Sequence, residues 1–181
     1  MTARRRLPGD PSPAESVARA IRVDQAGEYG ARRIYDGQLA VLRPGPARTA
    51  VEHMAAQERR HLEVFDKLLV DRRVRPTALG PLWHAAGYAL GAATALLGSK
   101  AAMACTVAVE EVIDAHYARQ AAALPASEAS LKTTIETFRR EEIDHRDLGL
   151  AHGAREAPAY PLLTGAIKAG SRLAIWLAER I

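Results

Sequence analysis

The sequence predicts an all-α fold, a four-helix bundle with two additional, more apolar helices. Three observations predict it. Apolar residues recur at alternating steps of three and four over long stretches, the period of an amphipathic helix. No stretch sustains the period-two alternation of a strand. Finally, two Glu-x-x-His motifs, Glu58/His61 and Glu142/His145, each follow a lone carboxylate, Glu28 or Glu110, at spacings of 30 and 32 residues. A Glu from each of two helices, with Glu-x-x-His from each of two others, is the ligand set of a di-iron or di-manganese centre in a four-helix bundle.

A leader, Met1 to Pro13, carries Arg4-Arg5-Arg6 and lacks the apolar core of a secretory signal. It is expected to be a disordered tail before a single domain over residues 14–181. The first helix is expected from about Ala14 to Leu42, stopped by Pro44-Gly45-Pro46, with Ile21, Glu28, Tyr35 and Leu42 on its inward stripe. The second runs from about Ala47 to Arg73 and ends near Pro76; Val51, Met54, Glu58, His61, Phe65 and Leu68 share one face. The third, from about Leu79 to Leu97, lies in a stretch, Pro76 to Ser99, without Asp, Glu, Lys or Arg. Its length allows a membrane span. Its Gly and Ala content makes the hydrophobic drive weak, so a buried or interfacial helix is expected.

The fourth helix follows Gly98 and reaches about Ala123, with Met103, Val107, Glu110, Asp114 and Tyr117 facing inward. Pro125 and Ser127 mark a break, with Ser127 or Ser130 as candidate N-caps. The fifth continues to about His152 and aligns Leu131, Ile135, Phe138, Glu142, His145 and Leu148. Pro158 and Pro161 introduce the last helix, which runs to the C-terminus. Helices one and two form one antiparallel pair and helices four and five the other, joined by helix three. One long crossover is the ferritin-like topology. The near-equal ligand spacings read as a pseudo-twofold repeat of the two pairs.

The composition bounds the function classes. The chain has 181 residues, 48% of them hydrophobic and only 5% aromatic, which suits one closely packed helical domain. The net charge is +4, but the arginines are dispersed along helices, which argues against nucleic acid. If four Glu lie buried on two metals, the outer surface is more basic than the formula says and suits anionic lipid headgroups. The single cysteine, Cys105, excludes an intrachain disulfide and a thiolate metal cluster. An oxidase site here has no built-in iron–sulfur relay.

All six Glu and His of the pattern fall at core positions. A buried carboxylate without a partner is costly, and a shared metal pair explains the set. By chance, thirteen Glu and six His give about 0.4 Glu-x-x-His matches, so one match means little; two, with matching upstream Glu and inward placement, point to a site. Glu58 and Glu142 would bridge two metals, Glu28 and Glu110 would be terminal, and His61 and His145 would complete one ligand set each. Asp24 and Asp144 are candidates to orient a ligand imidazole. Glu111 and Glu141 fall off the stripes and are expected to be solvated. His53, His84 and His152 are expected to be ordinary surface or packing residues, and His116 is a candidate for proton or electron delivery.

Longer motifs carry a resemblance. Arg22-Val-Asp-Gln-Ala-Gly-Glu28-Tyr-Gly-Ala, Ala104-Cys-Thr-Val-Ala-Val-Glu110-Glu and Phe138-Arg-Arg-Glu-Glu142-Ile-Asp-His145 resemble the demethoxyubiquinone hydroxylase family. So do Arg73-Val-Arg-Pro-Thr and Ala86-Gly-Tyr-Ala-Leu-Gly-Ala-Ala-Thr-Ala-Leu-Leu-Gly. The likeness runs from about Glu15 to the end. Where many members have a second His after the ligand His, this chain has Arg146, and the segment from Ala121 to Ser130 looks shortened.

The resemblance implies the ligands Glu28, Glu58, His61, Glu110, Glu142 and His145, choosing Glu110 over Glu111 and Glu142 over Glu141. It implies two iron ions, dioxygen as co-substrate, and hydroxylation of the benzoquinol ring of a polyprenylated demethoxyubiquinol in ubiquinone synthesis. It also implies NADH as reductant, with Arg19, Arg172 and Arg180 at basic positions for the nucleotide. No Gly-x-Gly-x-x-Gly follows a strand, so any NADH site is unconventional, or the quinone relays electrons to iron.

A polyprenyl tail must be met at the bilayer, because each buried methylene is worth about 0.8 kcal/mol. Leu82, Trp83, Tyr88, Leu90, Leu96 and Leu97 on helix three could supply a membrane-seated surface. Leu163, Ile167, Leu173, Trp176, Leu177 and Ile181 on helix six could join it. The expected location is the cytoplasmic face of a bacterial inner membrane, ahead of the matrix side of the mitochondrial one. Expected partners are the polyprenyl quinol, the membrane surface and other ubiquinone-biosynthesis proteins, and a homo-oligomer is compatible. The rivals are a manganese catalase or ferroxidase bundle, and a non-catalytic membrane-associated scaffold.

Overall fold

The structure, a computed structural model, describes residues 10–181. The expected disorder of the leader and its arginine cluster therefore lie mostly outside the described residues. Six α-helices account for nearly all of the described chain: α1 Pro13–Val41, α2 Pro46–Asp71, α3 Gly80–Leu96, α4 Ser99–Ala123, α5 Ala129–Ala151 and α6 Tyr160–Ala178. No strand occurs among the described residues.

Local chemistry sets the helix ends. Ser12 opens α1 with a capping box: its hydroxyl accepts from the Glu15 amide at 3.1 Å, and the Glu15 carboxylate accepts from the Ser12 amide at 2.6 Å. Pro13, Pro46, Pro81 and Pro161 sit in first turns, where a missing N–H costs nothing. Neither Ser127 nor Ser130 caps α5; a short 3-10 turn, Ala126–Glu128, leads into it. Arg72 at the end of α2 holds that turn by a two-pronged bond to Glu128, at 2.8 and 3.0 Å.

The bundle has the expected pairing, α1 with α2 and α4 with α5. Two apolar plugs fill its ends. One gathers Tyr35, Val51, Met54, Met103 and Val107; the other gathers Ile21, Phe65, Tyr117, Leu131 and Ile135. On α1, α2 and α4 the Glu or His of the sequence pattern lies between a residue of one plug and a residue of the other, and on α5 between Ile135 and the partly buried Leu148. The metal-type side chains are thereby confined to the waist of the bundle.

α3 and α6 do more than connect. α3 packs along α1, and α6 packs along α4. As a result α4 is buried on every side from Ala101 to Glu110, and its small residues, Ala101, Ala102, Ala104, Cys105 and Ala108, allow close approach all round. The single stripe read from the sequence understates this burial. It also misplaces Asp114, which is half-exposed and bonded to Arg139 at 2.6 Å. The α1–α3 seam depends on Gly37 and Gly91. A Cβ on Gly91 would lie 3.0 Å from the Gln38 amide nitrogen and closer still to the Ile34 carbonyl oxygen. One on Gly37 would press on the Tyr88 carbonyl.

Candidate metal centre

Four helices converge their charged side chains at the waist. α1 contributes Glu28, α2 Glu58 and His61, α4 Glu110, and α5 Glu142 and His145; each is at most 2% exposed. They form two overlapping sets, Glu28, Glu58, His61 and Glu142, and Glu58, Glu110, Glu142 and His145. Within each set the ligand atoms lie within 4.8 Å of one another. Glu58 and Glu142 belong to both sets, as expected of bridging carboxylates. His61 Nδ1 is 3.0 Å from Glu142 and 3.4 Å from Glu28, and His145 Nδ1 is 3.0 Å from Glu142 and 3.2 Å from Glu58.

The electrostatics call for cations. Burial, then repulsion from Glu142 and the other carboxylates, drives Glu58 and Glu110 well above the usual carboxylate range. Burial also opposes ionisation of Glu142, but hydrogen bonds from His145 and His61 prevail and hold it at about 2. Burial disfavours the His61 cation, yet its bonds to Glu142 and Glu28 raise it to about 11. Both Glu58 oxygens and Glu110 Oε2 are buried without a hydrogen-bond partner. Buried polar groups are normally satisfied, so a cluster of unsatisfied ones needs an explanation. Carboxylate oxygen with imidazole nitrogen is the donor set of iron and manganese, and two divalent cations balance the charge of four carboxylates. The residues present fit such a pair.

Neighbouring side chains hold the cage. Tyr35 on α1 donates to Glu110 Oε1 on α4 at 2.7 Å, and Tyr117 on α4 donates to Glu28 Oε1 on α1. Each tyrosine lies two turns beyond the carboxylate of its own helix and bonds the carboxylate of the other. The Phe138 ring stacks on His61 with centroids 4.0 Å apart.

Other expectations are corrected. Neither Asp24 nor Asp144 orients a ligand imidazole. Asp24 is buried and turned to Gln120 at 2.9 Å and His116 at 3.4 Å, with burial raising its pKa to about 6, and Asp144 is exposed. Glu141 is not a freely solvated residue: its carboxylate lies 2.7 Å from His61 Nε2. Gln57 holds the corresponding place beside His145 Nε2, at 3.2 Å. Both immediately precede a Glu-x-x-His motif, and that shared offset was the available signal. Glu111 pairs with Lys168. His53 is exposed, His84 bonds Tyr29 at 2.7 Å, and His152 bonds the Leu148 carbonyl at 2.9 Å. Arg146 turns to Asp147, away from the cage.

A cleft of about 350 Å³ opens beside the waist between α1, α3, α4 and α6. Its lining is almost wholly apolar and includes Ala31, Ile34, Leu90 and Ile113. Gly27 and Val109, which immediately precede Glu28 and Glu110, also line it. Trp83 stands in the same lining, and its buried Nε1–H has no protein partner. Arg19 lines a separate groove with His116, Arg119 and Glu179. Arg180 lies over the Trp176 ring at 4.1 Å, and Arg172 is exposed on α6.

Comparison with known proteins decides the family. The model for ubiquinone biosynthesis protein COQ7 matches residues 15–178. The chain belongs to the COQ7 family. A relative in Rhodospirillum rubrum, named 3-demethoxyubiquinol 3-hydroxylase, is 65% identical over 181 residues, covering 99% of this chain and 85% of its own length. A human relative, named mitochondrial NADPH-dependent 3-demethoxyubiquinone 3-hydroxylase, is 52% identical, covering 92% of this chain and 78% of its own. One in Saccharomyces cerevisiae, named mitochondrial 5-demethoxyubiquinone hydroxylase, is 44% identical, covering 93% and 79%. The COQ7 match bears out the resemblance read from the sequence.

Proposed function

We propose that this COQ7-family chain is a di-iron monooxygenase that hydroxylates the ring of a polyprenylated demethoxyubiquinol in ubiquinone biosynthesis. Glu28, Glu58, His61, Glu110, Glu142 and His145 would hold the two irons. The observation that carries this reading is the pair of overlapping buried Glu/His sets beside an apolar cleft. The names of the relatives supply the substrate class.

Bound iron would supply dioxygen activation, with one oxygen atom entering a ring C–H bond, the other leaving as water, and two electrons coming from a reductant. The protein's own residues do the rest. Glu58 and Glu142 span the two sets, and Tyr117 and Tyr35 fix one oxygen each of Glu28 and Glu110. The two apolar plugs exclude water from the waist. The cleft would receive the ring, and the unpaired Trp83 N–H would meet one of its oxygens. A catalase or ferroxidase has no use for such a cleft, which favours the quinol reading.

We place the enzyme at a membrane surface, on the cytoplasmic face of a bacterial inner membrane. Among the described residues no helix is long and apolar enough to cross a membrane. Leu82, Tyr88, Leu96 and Leu97 of the α3 segment and Leu162, Leu173 and Trp176 of α6 are nevertheless exposed. An interfacial seat explains apolar side chains turned outward on the two helices that wall the cleft. NADH or its phosphorylated form would be the reductant, with Arg19, Arg172 and Arg180 near its phosphates; several relatives are named NADPH-dependent.

The test is anaerobic loading with ferrous iron, followed by oxygen, NADH and a demethoxyquinone. Two irons per chain and a ring-hydroxylated product are expected, with both lost in Glu142→Ala. Unaltered turnover by that variant, or peroxide disproportionation or an iron core in place of quinone product, refutes the proposal.

A further inference from the structure

The two halves of the cage are not equivalent, and one residue breaks their symmetry. Each ligand imidazole directs Nδ1 into the cage and Nε2 out of it. The outer nitrogen meets a residue from the opposite motif. His61 Nε2 on α2 donates to the Glu141 carboxylate on α5 at 2.7 Å, and His145 Nε2 on α5 donates to the Gln57 amide oxygen on α2 at 3.2 Å. Glu141 precedes Glu142, and Gln57 precedes Glu58, so the contacts are pseudo-symmetric mates that cross between helices. Gln57 Nε2 also points toward Glu141 at 3.5 Å, which fixes the amide so that its oxygen faces His145. One imidazole is therefore backed by a carboxylate, and its mate by a neutral amide.

That difference reaches the metals. A carboxylate accepting from the outer N–H increases electron density on the inner nitrogen and makes it a better donor; an amide does so weakly. Both contacts fix the tautomer with Nδ1 free to ligate. From these crossed contacts we propose that Glu141 and Gln57 are positioning residues that make the two metal positions unequal. The position holding His61 with Glu28 is the tighter, and the position holding His145 with Glu110 is the weaker. This rests on the di-metal reading of the cage.

Anaerobic titration of the metal-free chain with ferrous ion tests it, followed by calorimetry and by Mössbauer spectra of the iron-57 form. The wild-type chain is expected to fill in two unequal steps, and His61→Ala to abolish the tighter one. Glu141→Gln, which makes both backing groups amides, is expected to weaken the tighter step about 10- to 100-fold and to bring the two iron signals together. Gln57→Glu is expected to tighten the weaker step and likewise narrow the gap. Two unequal steps that persist unchanged in a folded Glu141→Gln chain overturn the proposal, as does loss of the tighter step in His145→Ala instead of His61→Ala. A wild-type chain that takes up no iron refutes the metal reading beneath it, which distinguishes the two failures.

Discussion

Glu58→Gln separates the cost of the cage from its use. Glu58 is 0% exposed, and neither of its oxygens has a hydrogen-bond partner. Burial and neighbouring carboxylates raise its folded pKa well above the ordinary 4.5, so the metal-free fold takes up a proton there. Its penalty therefore sets in as pH rises above that ordinary value and deepens until the raised folded pKa is passed. One buried unsatisfied acceptor costs about 1–3 kcal/mol, and more when ionised. Gln has the same shape and no charge. The metal-free variant is expected to be more stable than wild type by about 1–3 kcal/mol at pH 7.5, with the difference shrinking toward pH 5.

Metal is expected to reverse the order. At a free ion concentration about 100 times Kd, each bound ion would add about 2.7 kcal/mol to the wild-type fold, and the variant would forfeit most of this. Urea unfolding followed by circular dichroism, with chelator and with ferrous ion, reads both effects. The expected signature is a crossing, with the variant above wild type without metal and below it with metal. A metal-free variant less stable than wild type at pH 7.5, or one stabilised by iron as much as wild type, refutes the reasoning.

Three further outcomes are expected. Glu142→Gln should behave oppositely to Glu58→Gln in the metal-free chain. Holding Glu142 at about 2, below the ordinary 4.5, is worth on the order of 3 kcal/mol, present above pH 4.5 and lost toward pH 2, so urea unfolding at pH 7 should show a clear loss. Tyr117→Phe strips the donor from a buried Glu28 oxygen and should cost about 1–3 kcal/mol in thermal unfolding while weakening iron uptake. Gly91→Leu should separate α3 from α1 and cost at least about 2 kcal/mol, whereas Gly165→Ala, whose Cβ meets nothing within 4 Å, should be neutral or stabilising by a few tenths to about 1 kcal/mol on the same melts.

The cage was legible because helix geometry converts spacing into direction. Glu58 and His61, three residues apart, must share a face, and the flanking Met54 and Phe65 show that this face is the core. Glu28 and Glu110 were readable for the same reason. Glu141 was misread because periodicity describes one helix at a time. Off its own stripe it looks solvated, but across the bundle it meets His61, 80 positions away in sequence. Asp114 fails in the opposite sense, sitting on the stripe but drawn outward by Arg139.

The sequence by itself determined the helices, their pairing and the six side chains of the cage, since these follow from local period, breakers and the cost of burying charge. Only the tertiary structure decided how the halves interlock. The crossed tyrosines, the unequal backing of the two imidazoles by Glu141 and Gln57, and the cleft walled by α3 and α6 all depend on where one helix meets another. The glycine seam at Gly37 and Gly91 sets how closely α3 approaches α1, and α6 closes over α4 beside it. Those distances are products of packing, which no single stretch of sequence encodes alone.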